Sequence, residues 1–137
     1  MNRHLVLMII GIATFVAGFT AFAQQDRPYN QIMKDVGATF ANLKKNLDAN
    51  SAAEAAQDAA KLEGLFTETE AFWARLDTKD AANLAKRARD GAAAVGAASK
   101  GNDMKAAQAK YSEIQKSCGN CHFSHREDTG KGYLIRP

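Results

Sequence analysis

An all-α fold, an antiparallel four-helix bundle, is what this sequence predicts, and three observations predict it. Alanine is abundant and strand-like alternation is absent beyond residue 23, which favours helix throughout. Four segments carry apolar residues at alternating three- and four-residue spacing, the period of a helix face. The two prolines, Pro28 and Pro137, stand where they leave these segments unbroken. Four amphipathic helices with short links close as an antiparallel bundle.

Residues 1–23 read as a secretory signal. Arg3 supplies a positive start, Leu5 to Phe19 is almost wholly apolar, and Ala21-Phe22-Ala23 is a small-x-small cleavage site. The competing reading is an uncleaved membrane anchor, but the run is short against the about 20 residues a bilayer crossing needs. Cleavage leaves 114 of the 137 residues, one domain's worth, and the loss of Arg3 lowers the net charge from +3 to +2. That balance, with no basic-aromatic patch, gives no support to nucleic-acid binding.

The first helix is expected from Pro28 to Leu47, with Pro28 in its first turn. Met33, Val36, Phe40, Leu43 and Leu47 make its stripe, and Ile32 widens it. The second is expected from Ser51 to Phe66, with Ser51 and Glu54 as a capping-box pair and a seam of Ala52, Ala55, Ala59, Leu62 and Phe66. Residues 67–77, where Phe72, Trp73 and Leu76 stand between charges, read as a short extra helix or a packed loop that caps one end of the core. The third helix is expected from Thr78 to Ser99, on a seam of small residues: Ala81, Leu84, Ala88, Gly91, Val95 and Ala98. Gly101 ends or follows it, and Asn102 or Asp103 caps the next helix. The fourth is expected from Asp103 to Glu127, with Met104, Ala107, Tyr111, Ile114, Cys118, Cys121 and His125 along its stripe.

In that last stripe lies Cys118-Gly119-Asn120-Cys121-His122. Two cysteines three apart with a histidine directly after are the attachment signature of a c-type haem. On a helix, positions i and i+3 share a face, so both thiols can add to the two vinyl groups of one porphyrin edge. The next residue then offers an imidazole to the iron. A Cys-x-x-Cys also serves as a dithiol redox pair, usually beside a βαβ pattern, and none is visible. Cys118, Cys121, His122 and His125 also read as a zinc set, although all four fall on one apparent helix and zinc sites usually draw on two separated pairs. The haem reading leads. It puts one porphyrin inside the bundle, in space left by the small seams of the second and third helices. Without that group the chain is expected to be loosely packed.

For the iron's other face the candidates are few. His125 lies one turn from His122 on the same helix and cannot reach round. Met104 lies 18 positions before His122, roughly 27 Å along a straight helix. Met33, on the first helix, can face the porphyrin, either as a sixth ligand or as an ordinary core methionine; lysine is a minor possibility.

At these residues the chain resembles the cytochrome c-prime family, the class II c-type cytochromes. The resemblance covers nearly all of residues 28–127. It rests on Cys118-Gly119-Asn120-Cys121-His122 with Arg126 following, and on Met33-Lys34-Asp35-Val36-Gly37-Ala38-Thr39-Phe40 in the first helix. It implies a bundle enclosing one covalent haem, with His122 as proximal ligand and Met33 at the distal position. High-spin members bind small gases at a five-coordinate iron, whereas low-spin members place a methionine there and carry electrons. The family's propionate-pairing arginine one turn before the distal residue is replaced here by Tyr29, with Arg27 two residues earlier. Arg27, Tyr29 and Arg126 are therefore the candidate haem-edge residues. The family often ends soon after the motif helix; this chain continues with a glycine-broken tail over 128–137, which folds back on the bundle, covers a haem edge or docks a partner. Homodimers are frequent in the family.

The expectation is thus an exported, periplasmic one-electron carrier that meets redox partner proteins and has no stable membrane insertion after cleavage. The alternative is a five-coordinate binder of nitric oxide or carbon monoxide. Enzymatic activity is not expected, since no distal histidine or acid–base pair stands at a recognisable spacing.

Overall fold

The computed structural model describes residues 27–137, so the expected signal over 1–23 lies outside the described residues. Four helices pack as a bundle: α1 (Tyr29–Asp48), α2 (Ala52–Arg75), α3 (Lys79–Lys100) and α4 (Met104–His125). Three-residue links make sequential neighbours antiparallel. Asn46 late in α1 accordingly bonds Asp58 early in α2, and Trp73 late in α2 bonds Tyr29 at the start of α1. α4 returns beside α1, where Gln108 donates to the Leu47 carbonyl at 3.3 Å and Phe40 stacks on Tyr111 at 4.2 Å between centroids. No helix among the described residues is long and apolar enough to cross a membrane.

The three links are built alike. Asn50, Asp77 and Asn102 have left-handed backbones, with φ of 52°, 54° and 56°. Each donates its N–H three residues back, and the following N–H reaches five back: Ser51 to Asn46, Thr78 to Trp73, Asp103 to Ala98. This is the Schellman ending, which satisfies carbonyls that the helix end leaves orphaned. Asn and Asp tolerate the left-handed region better than most residues. Gly101, expected to end the third helix, is right-handed at φ −79°, and Asn102 takes the turn instead. Asp103 caps α4, accepting from the Ala106 N–H at 3.0 Å. The expected capping box at Ser51 does not form. The Ser51 N–H that Glu54 would have to reach is already bonded to the Asn46 carbonyl.

Two expected boundaries also move. α2 does not stop at Phe66 but runs on through Arg75, so residues 67–75 are neither a loop nor a separate helix. Thr67 and Thr69 turn their hydroxyls to the carbonyls four residues back, so they do not compete with the helix. Glu68 and Glu70 pair with Arg27 and Arg89. Trp73 is 1% exposed and closes one end of the core, whereas Leu76 is 42% exposed and anchors nothing. α4 ends at His125, two residues early. Arg126–Asp128 forms β1 and Tyr133–Ile135 forms β2, an antiparallel hairpin with Arg126 opposite Ile135 and Asp128 opposite Tyr133. Gly130, at φ 73°, makes the turn that a side chain would strain.

The core is centred on Leu43, Leu47, Leu62, Val95 and Ile114. Two glycines of α3 mark where its small seam comes close to its neighbours. A Cβ on Gly91 would lie 2.8 Å from Ile114 Cγ1, and one on Gly96 would lie 3.6 Å from Ala59 Cβ. These distances predict opposite outcomes for one chemical change. Gly96→Ala should stabilise by about 0.5–1 kcal/mol, the helix preference for alanine. Gly91→Ala should lose about 1 kcal/mol net, because overpacking against the inner methylene of the Ile114 side chain outweighs that gain. Urea midpoints of the two variants check the difference.

Thr39 points into the same core at 1% exposure, and its hydroxyl has no hydrogen-bond partner among the described residues. A buried unpaired hydroxyl costs about 1–3 kcal/mol, and an isosteric methyl removes that cost. Thr39→Val should therefore raise stability by about 1 kcal/mol, read by the same unfolding measurement.

Candidate functional site

Cys118, Cys121 and His122 lie in the last two turns of α4, each half-buried; Cys118 packs against the core, and both cysteines are near enough to Tyr29 of α1 to affect its hydroxyl. Helical periodicity puts them there: Tyr111, Ile114 and Cys118 continue one stripe, with Cys121 and His122 one turn on. The two sulfurs are free thiols. Burial, with Cys121 close by, pushes the Cys118 thiol up to about 11; burial and Asp80 raise that of Cys121. Reactive dithiols do the opposite, with thiolates favoured at helix N-termini. Here both thiols stand near the C-terminal end of α4, whose dipole disfavours negative charge.

His122 is half-buried, and its ring has no hydrogen-bond partner among the described residues. Burial, and then Arg126, lowers its pKa, which favours the neutral ring and its nitrogen lone pair. His125 is its opposite. That ring is 7% exposed, with Nδ1 2.7 Å from the Arg136 carbonyl and Nε2 3.0 Å from Asp80 Oδ2. Both nitrogens are engaged, which takes His125 out of the zinc set. Among the described residues no three His, Cys, Asp or Glu side chains converge as a metal cage.

Across from these residues runs a stripe of α1: Tyr29, Met33 and Phe40, each partly buried against the core. Of the neighbouring helix pairs, α1 and α4 approach least closely. They meet through large side chains, Phe40 on Tyr111 in particular. Tyr29 senses both cysteines: burial drives its hydroxyl up to about 12 despite the bond from Trp73, and Cys121 and Cys118 add to the rise. Burial and Cys118 likewise raise Tyr111. Tyr29 and Phe40 thus bracket the seam at either end of the stripe, and Met33 lies between them. Eleven residues separate the two rings, about 16 Å of helix. A Cβ on Gly37 or Gly119 would meet nothing within 4 Å.

The three haem-edge candidates differ in placement. Tyr29 stands in the seam; its hydroxyl accepts from Trp73 Nε1 at 2.9 Å and keeps its own proton to donate. Arg27 is committed elsewhere, to Asp35 at 2.8 Å and Glu68 at 2.9 Å, clasping α1 to α2. Arg126 lies beyond the end of α4 with its guanidinium 4.3 Å from the Tyr133 ring centroid. Met104, set aside at the sequence level, packs partly buried at the far end of α4.

Sequence reasoning missed the support beneath the seam. Phe72 stacks on Tyr29 at 4.1 Å between centroids, and Trp73 meets Tyr29, Phe72 and His125 at 5.6, 5.4 and 5.2 Å. The Phe72-Trp73 pair was a visible signal; Asp80 carried none. A groove of about 520 Å³ also runs between α3 and α4, lined by Leu84, Arg87, Gly91, Lys116 and Asn120. It lies on the α3 side of α4 and shares none of the cysteine-bearing stripe. In comparisons with known proteins, no family model, no curated protein and no solved structure matches this chain.

Proposed function

We propose that this chain is a c-type cytochrome of the one-electron carrier kind, with a single haem held in the α1–α4 seam. One observation carries the reading. Two free cysteines and an imidazole whose ring has no hydrogen-bond partner among the described residues stand half-buried within two turns of α4, beside the loosest helix contact of the bundle. A dithiol exchanger needs easily formed thiolates, and these are suppressed. Addition to the two vinyl groups of one porphyrin takes one thiol each, and thiols three residues apart can reach both. Each Sγ would form a C–S bond to the vinyl carbon next to the ring as the C=C π bond and the S–H bond break, with the hydrogen ending on the terminal vinyl carbon. The resemblance to the cytochrome c-prime family points the same way.

In this assignment Cys118 and Cys121 hold the haem and His122 ligates the iron proximally. Met33 supplies a thioether from the facing stripe, as the sixth ligand. When bound, the haem would supply a reversible one-electron couple, with methionine opposite histidine favouring a raised potential. The protein's share is to fix both axial groups, exclude water with Phe40 and Tyr111, and offer the Tyr29 hydroxyl to a propionate. Export to the periplasm and exchange with redox partner proteins belong to the same proposal.

The test is to express the chain with an intact haem-attachment pathway. The expected product has the mass of the mature polypeptide plus one haem and a Soret band that survives denaturation. A mass of amino acids alone overturns the reading. A methionine–iron charge-transfer band in the ferric protein, lost in Met33→Ala, assigns the sixth ligand; a high-spin ferric spectrum in the wild type removes Met33 from the iron and favours the gas-binding alternative.

A further inference from the structure

At the end of the bundle that carries His122, all four helices and the segment after them meet in one connected set of contacts. His125 is its centre. Its Nδ1 reaches the Arg136 carbonyl at 2.7 Å and its Nε2 reaches Asp80, in the first turn of α3, at 3.0 Å. Desolvation works against the Asp80 carboxylate, but the His125 hydrogen bond and the Ala81 N–H outweigh it and hold its pKa below the ordinary value. The His125 ring packs on Trp73 of α2, and Trp73 Nε1 donates to Tyr29 Oη of α1 at 2.9 Å. His125 is one turn after His122, and Tyr29 is one turn before Met33. The run Tyr29–Trp73–His125 therefore links the turn that bears one proposed axial ligand to the turn that bears the other.

Arg136 closes the arrangement. Its N–H donates to the His125 carbonyl at 2.9 Å and its Nη2 to the Phe123 carbonyl at 3.3 Å. Those carbonyls belong to the last turn of α4, where no further helical N–H follows to satisfy them. The hairpin of β1 and β2 returns the chain so that Arg136 caps α4 from outside. A helix end with free carbonyls can fray or rotate; this one is held by a buried imidazole and by the returning strand.

We infer that His125, latched by Asp80 and Arg136, is a positioning residue that sets the distance and orientation of His122 relative to Met33. The inference rests on the reading proposed above. Groups that orient a metal ligand from behind typically change metal-site properties by about 10–100-fold when lost. Here the reported property is retention of the weaker, methionine bond.

The experiment uses the haem-loaded protein. His125→Phe keeps a ring on Trp73 and loses both hydrogen bonds. Its methionine–iron band should weaken, its reduction potential should fall, and the ferric protein should bind added imidazole about tenfold more tightly than wild type. Asp80→Ala should move in the same direction. Asp80→Asn, which retains an acceptor oxygen, should stay near wild type. Leu62→Ala, in the α2 core about 16 Å along the helix from Trp73, should lower the melting temperature yet leave band, potential and imidazole affinity unchanged. Wild-type band and imidazole affinity in His125→Phe overturn the inference, as does equal loss of the band in Leu62→Ala. A wild type with no haem, or with haem but no methionine band, overturns instead the reading beneath it.

Discussion

Replacing Cys118 and Cys121 together by serine is expected to give a polypeptide of amino-acid mass alone, with no Soret absorbance after denaturation and with α1 held more loosely than the rest of the bundle. The first part follows from the proposed thioethers. The second follows from where the packing lies. α2, α3 and α4 are drawn together by Ala59, Gly91, Val95 and Ile114, all buried at close approach. α1 contributes Ile32, Val36, Leu43 and Leu47 to that core, but its other stripe, Tyr29, Met33 and Phe40, is only partly covered. Leaving one aromatic side chain's worth of apolar surface uncovered, about 200 Å², costs about 5 kcal/mol. A whole domain is stable by roughly 5–15 kcal/mol, so α1 then sits at the margin. Hydrogen exchange should show α1 amides opening ahead of those in α2 and α3, and thermal melting should broaden. A sharp transition in the double variant, with α1 as protected as α3, would sink the idea that the bundle closes around a bound group.

The general expectation of a loosely packed bundle narrows accordingly to one seam. In the sequence, alanine and glycine on the second and third helices read equally well as space for a porphyrin or as helices in close contact. Only the partner decides, and the partner of Gly91 is Ile114, 23 residues on. What periodicity alone carries was legible. α1, α3 and α4 begin and end within two residues of expectation, because Pro28, Asp103 and unbroken three-four spacing mark them. The grouping of Cys118, Cys121 and His122 late in one helix was legible for the same reason. The second half of α2 was not, since Thr67-Glu68-Thr69-Glu70 interrupts the apolar period and its threonines resolve themselves by bonding backward to the backbone. Pairings between distant residues were also out of reach: Arg27 with Glu68, His125 with Asp80 and with the Arg136 carbonyl. The glycines at 130 and 132 announced a turn, but not that the strand beyond it comes back to cap α4.

Trp73→Ala is expected to be the most damaging single truncation, costing about 3–5 kcal/mol. Few side chains are as fully enclosed: Trp73 is 1% exposed, touches three rings and donates its indole proton to Tyr29. Truncation leaves a cavity at the junction of α1, α2 and α4 and an unpaired position at Tyr29. Trp73→Phe keeps most of the apolar volume and loses the donor, so it should cost about 1–2 kcal/mol. Leu76→Ala, three residues on and 42% exposed, should change stability by less than about 0.5 kcal/mol. The graded series separates two accounts of residues 67–76. If they merely covered the bundle as a surface loop, Trp73 and Leu76 would cost alike. If the last turns of α2 are core, the two differ by several kcal/mol, or roughly 4–8 °C of Tm per kcal/mol in a domain of this size. Urea unfolding at unchanged m-value measures the difference directly, and a Trp73→Ala cost below about 1 kcal/mol would exclude the second account.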